Sequence, residues 1–150
     1  RTSLITGLPG EGETEFSQLC DFLREYRMER VGAFAFSPEE GTRAAEMEHP
    51  DAEVARARAD FVAELQSRIM DDWNDAQIGR TMEALCEGYD PDEDTYFGRT
   101  YADSPDIDGK IWFTSERTLH AGDFVNVRVT DTYDGELVGI SEEDYHDDCE

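Results

Sequence analysis

Three aspartates, Asp103, Asp106 and Asp108, fall within six residues of one another in the stretch G-R-T-Y-A-D-S-P-D-I-D-G-K-I-W-F over 98–113, bracketed by Arg99 and Lys110. Carboxylates at that density can hold or recognise a cation, and with Ser104, Pro105 and Gly109 among them they also have the composition of a tight turn. Two uses are open: a solvated hairpin tip whose side chains tie their own backbone, or a polar tip that recognises something cationic. A second stretch with chemical potential is Gly7-Leu8-Pro9-Gly10-Glu11, where glycines let backbone approach a ligand closely and Pro9 fixes φ. The types that carry metal and nucleophilic chemistry are scattered. Cys20, Cys86 and Cys149 are odd in number and have no C-x-x-C spacing, so neither a disulfide framework nor a local metal site is expected. Cys20 and Cys86 lie on apolar faces and belong in a core. His49, His120 and His146 are equally dispersed, and no metal triad is expected.

The charge balance limits what such residues can meet. Thirteen basic residues face thirty-seven acidic ones, a net charge of −24, and the excess is spread along the whole chain. Such a field repels phosphate and attracts cations or basic proteins, so free nucleic acid is not an expected partner. A proteome that is acidic throughout would produce the same balance. No apolar run approaches the roughly 18 residues that cross a bilayer, and the start has no signal-peptide pattern, so no membrane partner is expected and a reducing cytoplasm is the expected setting.

The elements that must position these residues follow from periodicity. The 150 residues suffice for one respectable core or two small ones. Residues 1–6 are β-prone. From Glu13 onward Phe16, Leu19, Cys20, Leu23 and Tyr26 recur at helical spacing, and residues 31–36 read as a second strand covered on both faces. Strand, helix, strand is a βαβ unit with parallel pairing, which sets the loop after residue 6 beside the loop Ser37-Pro38-Glu39-Glu40-Gly41-Thr42, both at strand carboxyl ends. Residues 44–50 read as a connector. A long helix over 51–77 then carries Val54, Ala57, Phe61, Leu65, Ile69 and Trp73 on one stripe, and Gly79 stops it. Beyond Gly79 the period changes to two. Met82, Ala84 and Cys86 alternate with Glu83 and Glu87, Val125, Val127 and Val129 with Phe124, Asn126 and Arg128, and residues 137–140 close the series. Five short strands in this space predict a small antiparallel barrel, with Leu85 pointing outward, placed to pack on the preceding helix. Alternation also turns Trp112 out of the barrel core, toward a partner or onto the long helix. The acid-rich residues 141–150 are expected to be a disordered tail.

Taken together, the paired loops G-L-P-G-E and S-P-E-E-G-T and the small barrel resemble the end of the radical S-adenosylmethionine methylthiotransferases. Residues 98–109 resemble the branch that methylthiolates an aspartate of the twelfth small-subunit ribosomal protein. The resemblance implies an α+β chain. Residues 1–78 would be the C-terminal βαβα portion of a radical SAM, TIM-like barrel, and 79–140 a five-stranded, OB-like TRAM domain. It implies a monomeric parent enzyme using S-adenosylmethionine and two 4Fe-4S clusters, one held by a C-x-x-x-C-x-x-C run that is not among these residues. The piece by itself is then expected to bind no cofactor and to be inactive. The resemblance places Gly7, Pro9, Gly10, Glu11, Ser37 and Pro38 beside the cofactor, with Gly12 standing where the family usually has Thr. It places Arg99, Asp103, Asp106, Asp108 and Trp112 on the side of a basic ribosomal protein. A tRNA-modifying relative and a non-catalytic acidic barrel module are the alternatives, and the acidity opposes the first.

Overall fold

The computed structural model describes residues 1–146 as two compact units, Arg1–Asp72 and Trp73 onward. In the first, β1 (Thr2–Thr6) pairs in parallel with β2 (Val31–Ala35), Leu4 opposite Ala33. Helix α1 (Glu13–Tyr26) joins them and buries Cys20 and Leu23. Gly12 is its N-cap and has no hydroxyl to offer, but Glu15 reaches back to accept from the Gly12 N–H at 2.9 Å. The segment read as a connector contains one short helix, α2 (Arg43–Glu46), because Thr42 caps it by accepting from Ala45 N–H.

Helix α3 (Ala52–Asp75) forms where expected, and Ile69 of the expected stripe is buried, but its first half buries a different stripe. Ala55, Ala59, Val62, Gln66 and Ile69 face inward, whereas Val54 and Phe61 are 39% and 45% exposed. Small residues win because the Thr6 hydroxyl reaches the Ala55 carbonyl at 2.8 Å, an approach that a bulky stripe would prevent. Strand β2 is not covered on both faces within this unit: Ile5 and Phe34, opposite each other in the register, are 50% and 60% exposed.

The second unit is a closed barrel of β3 (Thr81–Asp90), β4 (Thr95–Arg99), β5 (Ile111–Thr114), β6 (Phe124–Tyr133) and β7 (Glu136–Ser141), in the order β3-β4-β5-β7-β6. It is not wholly antiparallel, since β5 and β7 pair in parallel. A closed ring with an odd number of strands cannot alternate direction throughout, so one parallel pair is a consequence of closure. Met82, Ala84, Cys86, Ile111, Phe113, Val125, Val127, Val129 and Leu137 fill the interior, as alternation predicts, and Trp73 packs against them. Gly98 has to be glycine: a Cβ there would lie 2.2 Å from the Leu85 carbonyl oxygen. Leu85 does point outward, but it sits in register with Arg99 on one side and Phe124 on the other.

Residues 141–146 are tied to the barrel and do not form the disordered tail expected there. Ser141 ends β7, Glu142 donates its N–H to Asn126 O at 2.8 Å, and Asp144 accepts from Glu116 N–H at 2.9 Å. The rest of that tail, with Cys149, lies outside the described residues. No helix of the described residues is long and apolar enough to cross a membrane.

Candidate functional site

The β4–β5 connection, 100–110, is a loop whose carboxylates divide their labour. Asp103 Oδ2 accepts from both the Thr100 N–H (2.9 Å) and the Thr100 hydroxyl (2.8 Å), and Asp108 Oδ2 accepts from the Ser104 N–H at 2.6 Å. Carboxylates used this way replace backbone partners and fix the turn. Asp106 stands apart: it is exposed, in the left-handed region at φ 59°, between Pro105 and the exposed Ile107. The three aspartates singled out together are thus two that shape the loop and one that faces solvent.

Arg99 and Trp112, the other expected contacts, both lie on the outside of the barrel and both have partners. Arg99 Nε donates to Glu87 at 2.9 Å. Trp112 Nε1 donates to Glu136 Oε2 at 2.5 Å, and Glu136 Oε1 accepts from the Lys110 N–H at 2.8 Å. The Lys110 ammonium lies 4.2 Å from the Phe97 ring centre, and the Phe97 and Trp112 rings are 5.6 Å apart. Sequence reasoning missed Glu136, which organises this cluster from a distant strand.

It also missed an exposed groove lined by Glu83, Leu85, Arg99, Thr100, Tyr101 and Phe124. Parity carried the signal: Phe124 shares the outward positions of β6 with Asn126 and Arg128, an odd place for a phenylalanine.

In the first unit the loop after β1 and the loop after β2 do lie side by side, linked by a hydrogen bond from Phe36 N–H to Thr6 O at 2.8 Å. Pro9 is half-buried, and Gly10, Ser37 and Pro38 are exposed around the strand ends. Glu11 does not wait for a ligand. Its Oε1 accepts from Gly7 N–H at 2.8 Å and from the Arg58 guanidinium at 2.9 Å. Arg58 also donates to Glu11 O and to Glu13 Oε1, each at 2.9 Å, and stacks 5.2 Å over Phe16. Burial opposes its charge, yet hydrogen bonds to Glu13 and Glu11 outweigh burial and hold the guanidinium pKa above its ordinary value. Nothing in the periodicity of α3 singles out Arg58; only its distance from Glu11 in space reveals the pair.

Gly7 packs the loop onto α3. It sits at φ 79°, and an added Cβ would lie 2.3 Å from the Ala55 Cβ. Gly7→Ala is expected to cost more than the about 2 kcal/mol of left-handed strain, because of the Ala55 clash, as measured by urea unfolding; Gly10→Ala, at φ 87° with nothing within 4 Å of its Cβ position, is expected to cost the strain without the clash.

A cluster of iron and sulfur needs convergent thiolates, and the described residues do not fit that need. Cys20 and Cys86 are buried in different units with thiol pKa values pushed up by burial, and no group of three His, Cys, Asp or Glu among the described residues is placed to hold a metal ion.

Comparison with known proteins gives two findings. Residues 78–141 match the TRAM domain family. Over 93% of its length the chain is 43% identical to the ribosomal protein uS12 methylthiotransferase RimO of Clostridium botulinum (strain Hall). Over the same share it is 42% and 41% identical to the proteins of that name in Acetivibrio thermocellus and Caldanaerobacter subterraneus. The chain spans 31%, 31% and 32% of these three relatives.

Proposed function

We propose, for a chain whose residues 78–141 are a TRAM domain and which corresponds to the C-terminal region of the uS12 methylthiotransferases, that it is the substrate-recognising end of such an enzyme. The parent would transfer a methylthio group to an aspartate of uS12 by radical S-adenosylmethionine chemistry, and the acidic barrel would hold the basic ribosomal protein. The observation that carries this reading is the charge of the barrel. Residues 79–140 contain five basic and fourteen acidic residues, a surface that repels RNA phosphates and attracts a protein rich in Lys and Arg.

The first unit supports a larger enclosure. A two-stranded parallel sheet with Ile5 and Phe34 exposed on one face is the form expected of strands whose neighbours complete a barrel. S-adenosylmethionine would supply the radical when bound. Of this chain, the Gly10 backbone, Pro9, Ser37 and Pro38 would border it, while Glu11 and Arg58 hold the loop that presents them. The clusters would be held by residues other than these, so this chain by itself would not cleave the cofactor.

The test is binding of purified uS12 to this chain over a salt series. Affinity is expected to fall about tenfold or more between low and high salt, since exposed charges are screened within roughly 10 Å at 0.1 M. Asp106→Asn is expected to weaken binding without altering the melting temperature, whereas Asp103→Asn should lower the melting temperature by loosening the turn. Affinity indifferent to salt, or tighter binding of tRNA than of uS12, would rule the reading out.

A further inference from the structure

Two large aromatic side chains stand in solvent beside one groove of the barrel, Tyr101 in the β4–β5 loop at 85% and Phe124 on β6 at 64% exposure, with Leu85 of β3 lining the same groove. The register of β4, β3 and β6 puts Arg99, Leu85 and Phe124 in one row. Phe124 is also the shared wall of a second recess, lined by Glu83, Arg117, Asn126, Glu142 and Glu143 among others. The face therefore combines an exposed groove with an acidic recess, and Phe124 and Glu83 line both.

We infer that this face is where the substrate protein docks, taking an aliphatic or aromatic side chain between Tyr101 and Phe124 and a neighbouring lysine or arginine beside Glu83, Glu142 and Glu143. The inference rests on the reading that the barrel recognises a basic protein, and names the surface that does so. Exposed aromatics cost hydration free energy in the isolated molecule and dominate binding energy once a partner covers them. Aromatic rings also stack on nucleic-acid bases, but such platforms track phosphates with cations. Here Arg99 is committed to Glu87 at 2.9 Å, and the recess holds a single arginine, Arg117, against the three glutamates Glu83, Glu142 and Glu143. The charge fits a cationic peptide segment.

The experiment measures uS12 binding to the whole chain by calorimetry, for the wild type, for Tyr101→Ser combined with Phe124→Ser, for Glu83→Lys, and for Tyr133→Ser. Tyr133 is 78% exposed and lines neither recess, so it serves as the control. Thermal melts establish that each variant is folded. The double variant and Glu83→Lys are each expected to bind about tenfold or more weakly, and the control within about twofold of wild type. If the wild type binds uS12, Asp106→Asn weakens it and the groove variants do not, the groove assignment fails while the functional reading stands. If the wild type does not bind uS12 at all, both fall. If the wild type binds single-stranded oligouridine and the double variant loses it, the face is a nucleic-acid platform and the assignment is overturned.

Discussion

Arg58→Ala is expected to destabilise the first unit by about 3–5 kcal/mol, the cost of leaving a buried carboxylate without its cation. The side chains of Arg58 and Glu11 are only 8% and 12% exposed, so water cannot take over the lost partner cheaply. The same guanidinium holds the Glu11 carbonyl and the Phe16 ring, so its removal releases the loop over 7–12 as well as a charge. Glu13 contributes little to this figure, since its own side chain is 90% exposed. Urea unfolding followed by circular dichroism reads the loss. Pairing Arg58→Met with Glu11→Gln should recover most of it, because an apolar residue beside a neutral amide buries no charge. If the double variant is as unstable as Arg58→Ala, the loss comes from packing rather than from the uncompensated carboxylate.

Phe113→Ala is expected to cost a similar amount, about 3–5 kcal/mol, in the second unit, where truncating a buried aromatic forfeits transfer energy and leaves a cavity. Phe113 is 1% exposed at the barrel centre, its ring 5.9 Å from that of Tyr96. Both tryptophans, Trp73 and Trp112, lie in this unit, so fluorescence follows its unfolding selectively. The midpoint should move with little change in the first unit's transition. A loss below about 1 kcal/mol would mean that the barrel collapses around the missing ring.

These two residues also mark how far the site was legible. The burial of Phe113 follows from a local rule: with Trp112 turned outward, a period of two faces Ile111 and Phe113 inward. The loop pair in the first unit was legible for a related reason, since a βαβ unit brings the carboxyl ends of its strands together. The first half of the α3 stripe was not legible because periodicity reports hydrophobic size and not closeness of approach, and Ala55 lies where Gly7 and Thr6 need room. The groove was missed because Tyr101, in the loop that follows β4, and Phe124, on β6, come together only through β3, which pairs with both strands.

Composition and period determined the acidity, the βαβ order, the five strands and the inward faces, all of which depend on residues within a few positions of one another. Only the tertiary structure decided what the polar residues are used for. Arg58 finds Glu11 across 47 positions, and Glu136 reaches Trp112 across 24. Asp103 and Asp108 serve the turn because the chain returns within hydrogen-bonding distance of their oxygens, and Asp106 remains outside because it does not. A carboxylate's role is set by which donor comes within about 3 Å of it, and that is a property of the folded chain.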